Sequence, residues 1–121
     1  MRIDTSLAEN VMLLTPFSAD AQDELTKNFV STYNEKFGET PNQFAADAYD
    51  CVYAIYEVCK SQNVTADMIA QEIGEKLKTG FTDSAFKFNG LTGSDMSWAT
   101  TGAVSKEPKG MIIKNGAYVG M

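Results

Sequence analysis

Apolar and polar residues alternate along this chain in two different patterns, and the change comes near residue 80. Residues 11–14 are a short apolar run. Pro16 follows closely and cannot donate to a strand ladder, so the run predicts a buried strand that ends at Thr15. Three segments with helical spacing come next. After Gly80 the apolar residues recur at every second position, which is typical of short strands. The pattern therefore predicts a strand, three helices and further short strands.

The first predicted helix has both a start signal and a stop signal. Asp20 is the expected N-cap, and the acidic Asp23 three residues later resembles the second half of a capping box. Gly38 is the expected residue just past the C-terminus, where a left-handed conformation favours glycine. The apolar stripe between these signals consists of Leu25, Phe29, Val30, Tyr33 and Phe37.

The second predicted helix begins after Asn42, its expected N-cap, and runs to about Ser61. Unlike the first helix, it is apolar on two stripes. One stripe contains Phe44, Ala48, Cys51, Ile55 and Cys59. The other contains Ala45, Val52 and Tyr56, flanked by Tyr49 and Tyr53. Since a surface helix needs only one apolar stripe, this pattern predicts a helix packed on both sides, with more protein around it than a short chain easily supplies.

The third predicted helix is capped by Thr65 and ends at Gly80. Its expected inward-facing residues are Met68, Ile69, Ile73 and Leu77. In the strand region, Trp98 is expected to fill a small core. Residues 111–119 predict a hairpin, because Asn115 and Gly116 lie between two apolar strands and favour a type I′ turn.

Composition narrows the possible functions. The chain has 121 residues, which is enough for one domain, and a net charge of -6. Arg2 is its only arginine, so we expect no nucleic-acid binding, which requires a basic surface. The sequence has no histidine, the usual acid–base catalyst near neutral pH, so we do not expect an enzyme. No apolar run reaches the ~20 residues of a membrane span, and residues 1–6 lack the apolar core of a signal peptide.

Two cysteines, Cys51 and Cys59, lie on the second predicted helix. Eight positions along a helix separate them by ~12 Å, whereas a disulfide requires Cα atoms within ~7 Å, so they cannot pair with each other. We expect both to be small buried apolar residues, with an intermolecular bridge or a metal role as open alternatives. With no histidine present, a zinc site is not expected, and the sequence predicts neither a metal nor a cofactor.

Three segments of the chain resemble one family. Residues 40–50 carry the run T-P-N-Q-F-A-A-D-A-Y-D, and residues 10–17 carry N-V-M-L-L-T-P-F. Residues 88–93 fit the pattern F-x-G-x-T-G and are followed by the apolar and aromatic residues of 96–98 and by Gly102. In this order and spacing they resemble the C-terminal part of type I solute-binding proteins of ABC transporters. The branched-chain amino acid (Leu/Ile/Val) binding group is the most similar.

The resemblance implies an α/β fold that is only a partial lobe of the type I periplasmic-binding-protein fold: a strand, three helices, short strands and a C-terminal hairpin. Residues 1–9 are expected to be a tail, residues 10–108 a first-lobe segment with three helices, and residues 109–121 a hairpin that belongs to the second lobe in the family. Members of the family have two lobes and are much longer, so we expect a C-terminal fragment. The helices would lack the sheet that they cover in the family, so we expect self-association into a homo-oligomer.

The implied function is capture of amino acids, of the branched-chain type, for uptake. The implied partners are the small solute and an ABC permease, and the implied location is extracytoplasmic, in the periplasm or on a cell-surface lipoprotein. Two alternatives remain open. The chain could be a self-standing oligomerising interaction module, or a ligand sensor that uses the same fold without a transporter.

Three residues are candidates for ligand binding. Tyr49 matches the family tyrosine that faces the cleft between the lobes, with a core role as the alternative. Phe17 could line the same cleft or could act as a hydrophobic staple for the first helix. Asp47 could meet the ammonium group of an amino acid. Asp50, three residues later, is expected to be structural and to accept a hydrogen bond from a nearby backbone amide.

Overall fold

The computed structural model describes residues 5–121 and has an α/β fold. Of the predicted tail, residues 1–9, the first four lie outside the described residues, and Thr5–Ala8 form a 3-10 turn. The elements in chain order are a 3-10 turn (Thr5–Ala8), β1 (Met12–Thr15), α1 (Glu24–Phe37), α2 (Gln43–Ser61), α3 (Ala70–Phe81), β2 (Ser97–Trp98), β3 (Val104–Ser105), β4 (Lys109–Lys114) and β5 (Ala117–Gly120). The predicted strand, three helices and hairpin are all present, and β3 is an addition.

The chain forms two compact units. The first comprises the chain up to Ala45 together with Glu107–Met121, and the second comprises Ala46–Lys106. The boundary between them therefore falls within α2. We refer to them as the sheet unit and the loop unit, and each is described by itself.

The sheet unit contains a three-stranded antiparallel sheet in the order β1-β4-β5. Asn115 and Gly116 join β4 to β5 with φ angles of 53° and 76°. Positive φ at both central residues is what a type I′ turn requires, so the predicted hairpin is confirmed. The prediction that β1 is buried is wrong, because β1 lies at the sheet edge and its alternate residues Met12 and Leu14 are 65% and 72% exposed.

Helix α1 starts later than the sequence predicts. Its N-cap is Asp23 and not Asp20, since the Thr26 amide donates to the Asp23 carboxylate at 2.9 Å. An aspartate cap needs its own backbone extended and the helix to follow at once, and Asp23 alone meets this, with φ −69° and ψ 149°. Gly38 ends the helix in the left-handed conformation, with φ 70°, as predicted.

Helix α2 has the predicted extent, and Asn42 caps it by accepting a hydrogen bond from the Ala45 amide at 3.1 Å. Its buried face, however, belongs to neither predicted stripe. That face consists of Ala46, Asp50, Ala54 and Val58. Both predicted stripes contain large exposed side chains, among them Val52, Ile55 and Tyr56. The small alanines allow α2 to approach the loop that follows α3, where Ala54 packs with Phe88 and Met96.

The two cysteines are free, so the prediction that they do not pair is confirmed. The prediction that both are buried is wrong, because Cys51 lies on an exposed stripe of α2 and Cys59 is only half-buried. The physical reason is that the buried face of α2, which packs on the small core of the loop unit, is the alanine-rich face and not the stripe that carries the cysteines.

Helix α3 begins at Ala70, so Thr65 is not its cap. Thr65 instead begins a turn in which its carbonyl accepts from the Met68 amide at 3.3 Å. The N-cap is Ile69, which is 62% exposed and not inward-facing as predicted, and its amide donates to Glu72 at 3.2 Å. Gly80, predicted as the stop, lies inside the last turn, where an added Cβ would lie 2.5 Å from a Val58 methyl group.

A small core completes the loop unit. Phe88 and Met96 face each other as a single antiparallel bridge, and β2 pairs with β3. Trp98 packs edge-on against Phe81, with ring centroids 5.0 Å apart, and also contacts Phe86. The half-buried Trp98 therefore fills this core, as the sequence predicts.

Candidate functional site

A buried carboxylate joins two of the sequence motifs. Asp50 on α2 is 5% exposed, and it accepts hydrogen bonds from the amides of Leu91 and Thr92, both at 2.8 Å. The Thr92 hydroxyl also donates to it, at 2.7 Å. We call this arrangement the Asp50 latch. The expectation that Asp50 is structural and accepts from a backbone amide is confirmed.

The glycines of the F-x-G-x-T-G pattern make the latch possible. A Cβ on Gly90 would lie 2.5 Å from the Asp50 carboxylate, so only glycine allows the backbone to approach this closely. The Gly90 amide donates to the Gly93 carbonyl at 2.9 Å, which turns the loop around the carboxylate. Phe88, the first residue of the pattern, anchors the loop in the core with Ala54 and Met96.

Asp47 lies one turn before Asp50 on α2, and its carboxylate is paired. The Lys106 ammonium donates to Asp47 at 2.9 Å and to the Thr92 hydroxyl at 2.7 Å. Because that hydroxyl donates onward to Asp50, the ammonium, the hydroxyl and both carboxylates form one continuous network. Whether Asp47 also meets a ligand stays a prediction.

Tyr49 lies between these two aspartates in sequence and is half-buried. Its ring is 4.5 Å from that of Tyr53, at an interplanar angle of 35°. Burial, together with a side-chain hydrogen bond to Tyr53, raises the pKa of Tyr49 to about 12. Tyr49 thus places a hydroxyl, hydrogen-bonded to Tyr53, beside an aromatic surface. Its ligand role stays a prediction.

Phe17 belongs to the sheet unit. It is 5% exposed and packs edge-on against Phe29 of α1, with ring centroids 6.0 Å apart. It also lines an open pocket of about 570 Å³ within that unit, together with Leu13, Pro41, Phe44 and Met111. Phe17 thus packs on a helix and borders a pocket at the same time, and its ligand role stays a prediction.

Sequence reasoning missed Lys106 and the part that Thr92 plays. Thr92 is the threonine of the F-x-G-x-T-G pattern, so the pattern itself indicated that this residue has a structural or functional role. Lys106 carries no local signal, because its partner Asp47 is 59 residues away. Among residues 5–121, the structure contains no group of three or more acidic, cysteine or histidine side chains that could hold a metal ion. Among the same residues, no helix has the length and apolar character needed to cross a membrane.

Comparison with known proteins gives matches at the level of structure. No family model matches the chain, and no curated protein sequence matches it. A branched-chain amino acid ABC transporter protein from Rhodospirillum rubrum is similar over 94% of this chain and 31% of its own, with 24% identity and a TM-score of 0.73. The substrate-binding protein LivJ from Streptococcus pneumoniae, in complex with isoleucine, is similar over 95% of this chain and 30% of its own, with 24% identity and a TM-score of 0.70.

A third structure, the ABC transporter substrate-binding protein from Desulfitobacterium hafniense in complex with Leu, is similar over 96% of this chain and 32% of its own. Its identity is 18% and its TM-score 0.75. The chain thus spans about a third of the length of the solved structures that it matches. At these identities the similarity establishes a shared fold. The chain has the fold of part of one lobe of a type I periplasmic-binding protein, as found in branched-chain amino acid substrate-binding proteins.

Proposed function

We propose that the chain is a C-terminal segment of an ABC-transporter solute-binding protein that captures amino acids, of the branched-chain type, for uptake. The observation that carries the proposal is the structural match over nearly the whole chain to substrate-binding proteins, two of them in complex with isoleucine or Leu. The Asp50 latch adds support, because it gives the motifs behind the resemblance a shared structural role. In this proposal the protein is not an enzyme.

The proposed mechanism uses two lobes that close on the solute. Residues 10–108 supply part of the first lobe, and residues 109–121 reach the second lobe. The solute shifts an open–closed equilibrium because it contacts both lobes only in the closed form. The closed form then docks on an ABC permease outside the cytoplasm, in the periplasm or at the cell surface.

Three side chains have proposed ligand roles. Tyr49 offers a flat apolar ring, suited to an amino acid with an apolar side chain, and a hydroxyl that it would share between Tyr53 and the solute. Phe17 borders the pocket in the sheet unit. Asp47 would serve the ammonium group while Lys106 holds its carboxylate in position.

The decisive experiment is calorimetry with leucine, isoleucine and valine on the longer protein whose reading frame contains this segment. We expect Tyr49→Phe to weaken binding about fivefold, since one lost hydrogen bond is worth ~1 kcal/mol. Tyr56→Phe is the matched control, because Tyr56 lies on α2 but is 58% exposed, and it should leave the affinity unchanged. The 121-residue chain alone should give no micromolar response, because it holds at most one wall of the cleft.

A second candidate, an oligomerising interaction module, is favoured by the exposed apolar side chains of α2. Val52 is 66% exposed and Tyr56 is 58% exposed, and the two lie one turn apart on the same helix. A longer reading frame that binds no amino acid, combined with strong self-association, would favour this module. A sensor of the same fold would differ from the transporter protein in lacking neighbouring genes for a permease and an ATPase.

A further inference from the structure

Lys106 occupies a special position in the chain. It is the last residue of the loop unit, immediately before Glu107 begins the second stretch of the sheet unit. Its side chain turns back to α2, where it contacts Asp47 at 2.9 Å, and to the loop after α3, where it contacts Thr92 at 2.7 Å. One ammonium group thus contacts two separate segments at the point where the chain leaves the unit.

An exposed ion pair would add little to the stability of the fold, because most such pairs contribute less than ~1 kcal/mol. This pair differs in its surroundings. The side chains of Lys106 and Asp47 are 27% and 35% exposed, and the Thr92 residue that receives the second hydrogen bond is 0% exposed. A charge-assisted hydrogen bond to a buried hydroxyl is stronger than one that water can replace.

We propose that Lys106 is a positioning residue that clasps the exit of the loop unit to the turn of α2 that carries Tyr49. Two contacts hold that turn: the Asp50 latch from the loop and the Lys106 clasp from the exit segment. The clasp fixes the helix turn on which the candidate ligand residues Asp47 and Tyr49 lie. Its role in ligand binding therefore rests on the proposed function. Its existence can be tested without any ligand.

The test is amide hydrogen exchange, followed by NMR, on the 121-residue chain. The probes are the amides of Thr92 in the loop and of Val104 and Ser105 in β3, just before the clasp. Lys106→Met removes the charge and keeps the apolar stem. We expect exchange at these amides to accelerate about tenfold or more, the equivalent of ~1.4 kcal/mol. Lys87→Met, at an exposed lysine of the same unit, is the matched control and should leave the rates unchanged.

A second variant separates a specific clasp from a general loss of stability. Asp47→Asn alone should accelerate exchange at β3. The double variant with Asp47→Asn and Lys106→Met should exchange no faster than Lys106→Met alone, because both substitutions break the same ion pair. Lys106→Arg, which keeps the charge, should restore rates to within about threefold of wild type. If Lys106→Met unfolds the chain, Asp47→Asn and Lys106→Arg decide the matter by the same criteria.

Wild-type exchange rates in Lys106→Met, or independent and multiplicative effects of the two substitutions, would overturn the clasp. That result would leave the solute-capture proposal intact, since no solute takes part in the measurement. Conversely, a failure of the longer protein to bind any of the three amino acids, with the clasp present, would overturn the proposed function alone.

Discussion

Asp50 is a carboxylate with almost no exposure to water, held by donors from a single loop. A buried charge is costly unless donors surround it, and here two backbone amides and one hydroxyl do so. The same contacts satisfy amides that would otherwise be buried without partners. Because the carboxylate and its donors satisfy each other, the loop needs Gly90 beside the carboxylate and Thr92 two positions later.

Gly90→Ala should destabilise the chain by ~2 kcal/mol or more, because its methyl group would overlap the Asp50 carboxylate and separate it from its donors. The matched control is Gly74→Ala on α3, where no atom lies within 4 Å of the added Cβ. That change should stabilise the chain by ~0.5–1 kcal/mol, since alanine is the better helix former. Urea unfolding of the two variants measures both effects, and equal shifts in the same direction would contradict the prediction.

Tyr49 predicts a pH effect of definite sign. Its folded-state pKa is raised from 10.0 to about 12 by burial and by the hydrogen bond to Tyr53, so the folded state keeps its proton longer than the unfolded state does. The stability that Tyr49 contributes is therefore complete below pH 10 and is lost as pH rises toward 12. Unfolding free energies of wild type and Tyr49→Phe should differ less at the upper end of this range, whereas parallel pH curves would refute the prediction.

At the scale of elements, α1 shows how a cap selects one of two aspartates. Burial, the largest single effect, would raise the pKa of Asp23, but the hydrogen bonds from the Thr26 amide and hydroxyl and from its own backbone, together with the charge of Lys109, lower the pKa below its ordinary value. The carboxylate therefore stabilises the helix above its ordinary pKa, and that contribution is lost as the pH falls through the lowered value.

Asp23→Ala should lower the unfolding free energy by ~1 kcal/mol at neutral pH, because the helix loses its N-cap. Asp20→Ala, a change of equal size and charge at the cap that the sequence favoured, should cost less than ~0.5 kcal/mol as an ordinary surface substitution. Thermal or urea unfolding monitored by circular dichroism compares the two variants. A larger loss of unfolding free energy for Asp20→Ala than for Asp23→Ala would indicate that Asp20 is the N-cap.

At the scale of the whole molecule, the exposed side chains on α2 are the main observation. Val52, Tyr53, Ile55 and Tyr56 are each at least 45% exposed on one helix. Soluble monomers rarely expose large contiguous apolar surfaces, so we expect copies of the 121-residue chain to cover these residues on one another.

Sedimentation velocity should therefore show association that increases with protein concentration. Val52→Glu should weaken it by about tenfold or more in dissociation constant, because an unpaired carboxylate at an apolar contact is costly. Ser31→Glu, on an exposed position of α1, adds the same charge and should leave association unchanged. A wild-type chain that stays monomeric across the concentration series would contradict this expectation.

The features that the amino-acid pattern predicted correctly are local ones. The Asn115–Gly116 turn, the Gly38 stop, the Asn42 cap and the extent of α2 all follow from residues within a few positions of one another, because dihedral preferences and helix capping act over that range.

Tertiary packing alone selected the buried face of α2, the loop that meets Asp50 and the partner of Lys106. The α2 stripes are ambiguous from periodicity, because an alanine row and a bulky row repeat at the same spacing. The Lys106–Asp47 pair spans 59 positions, and such contacts depend on how segments pack rather than on any local preference. The sequence pattern allowed more than one buried face for α2 and several partners for Lys106, and the packing of the segments selected among them.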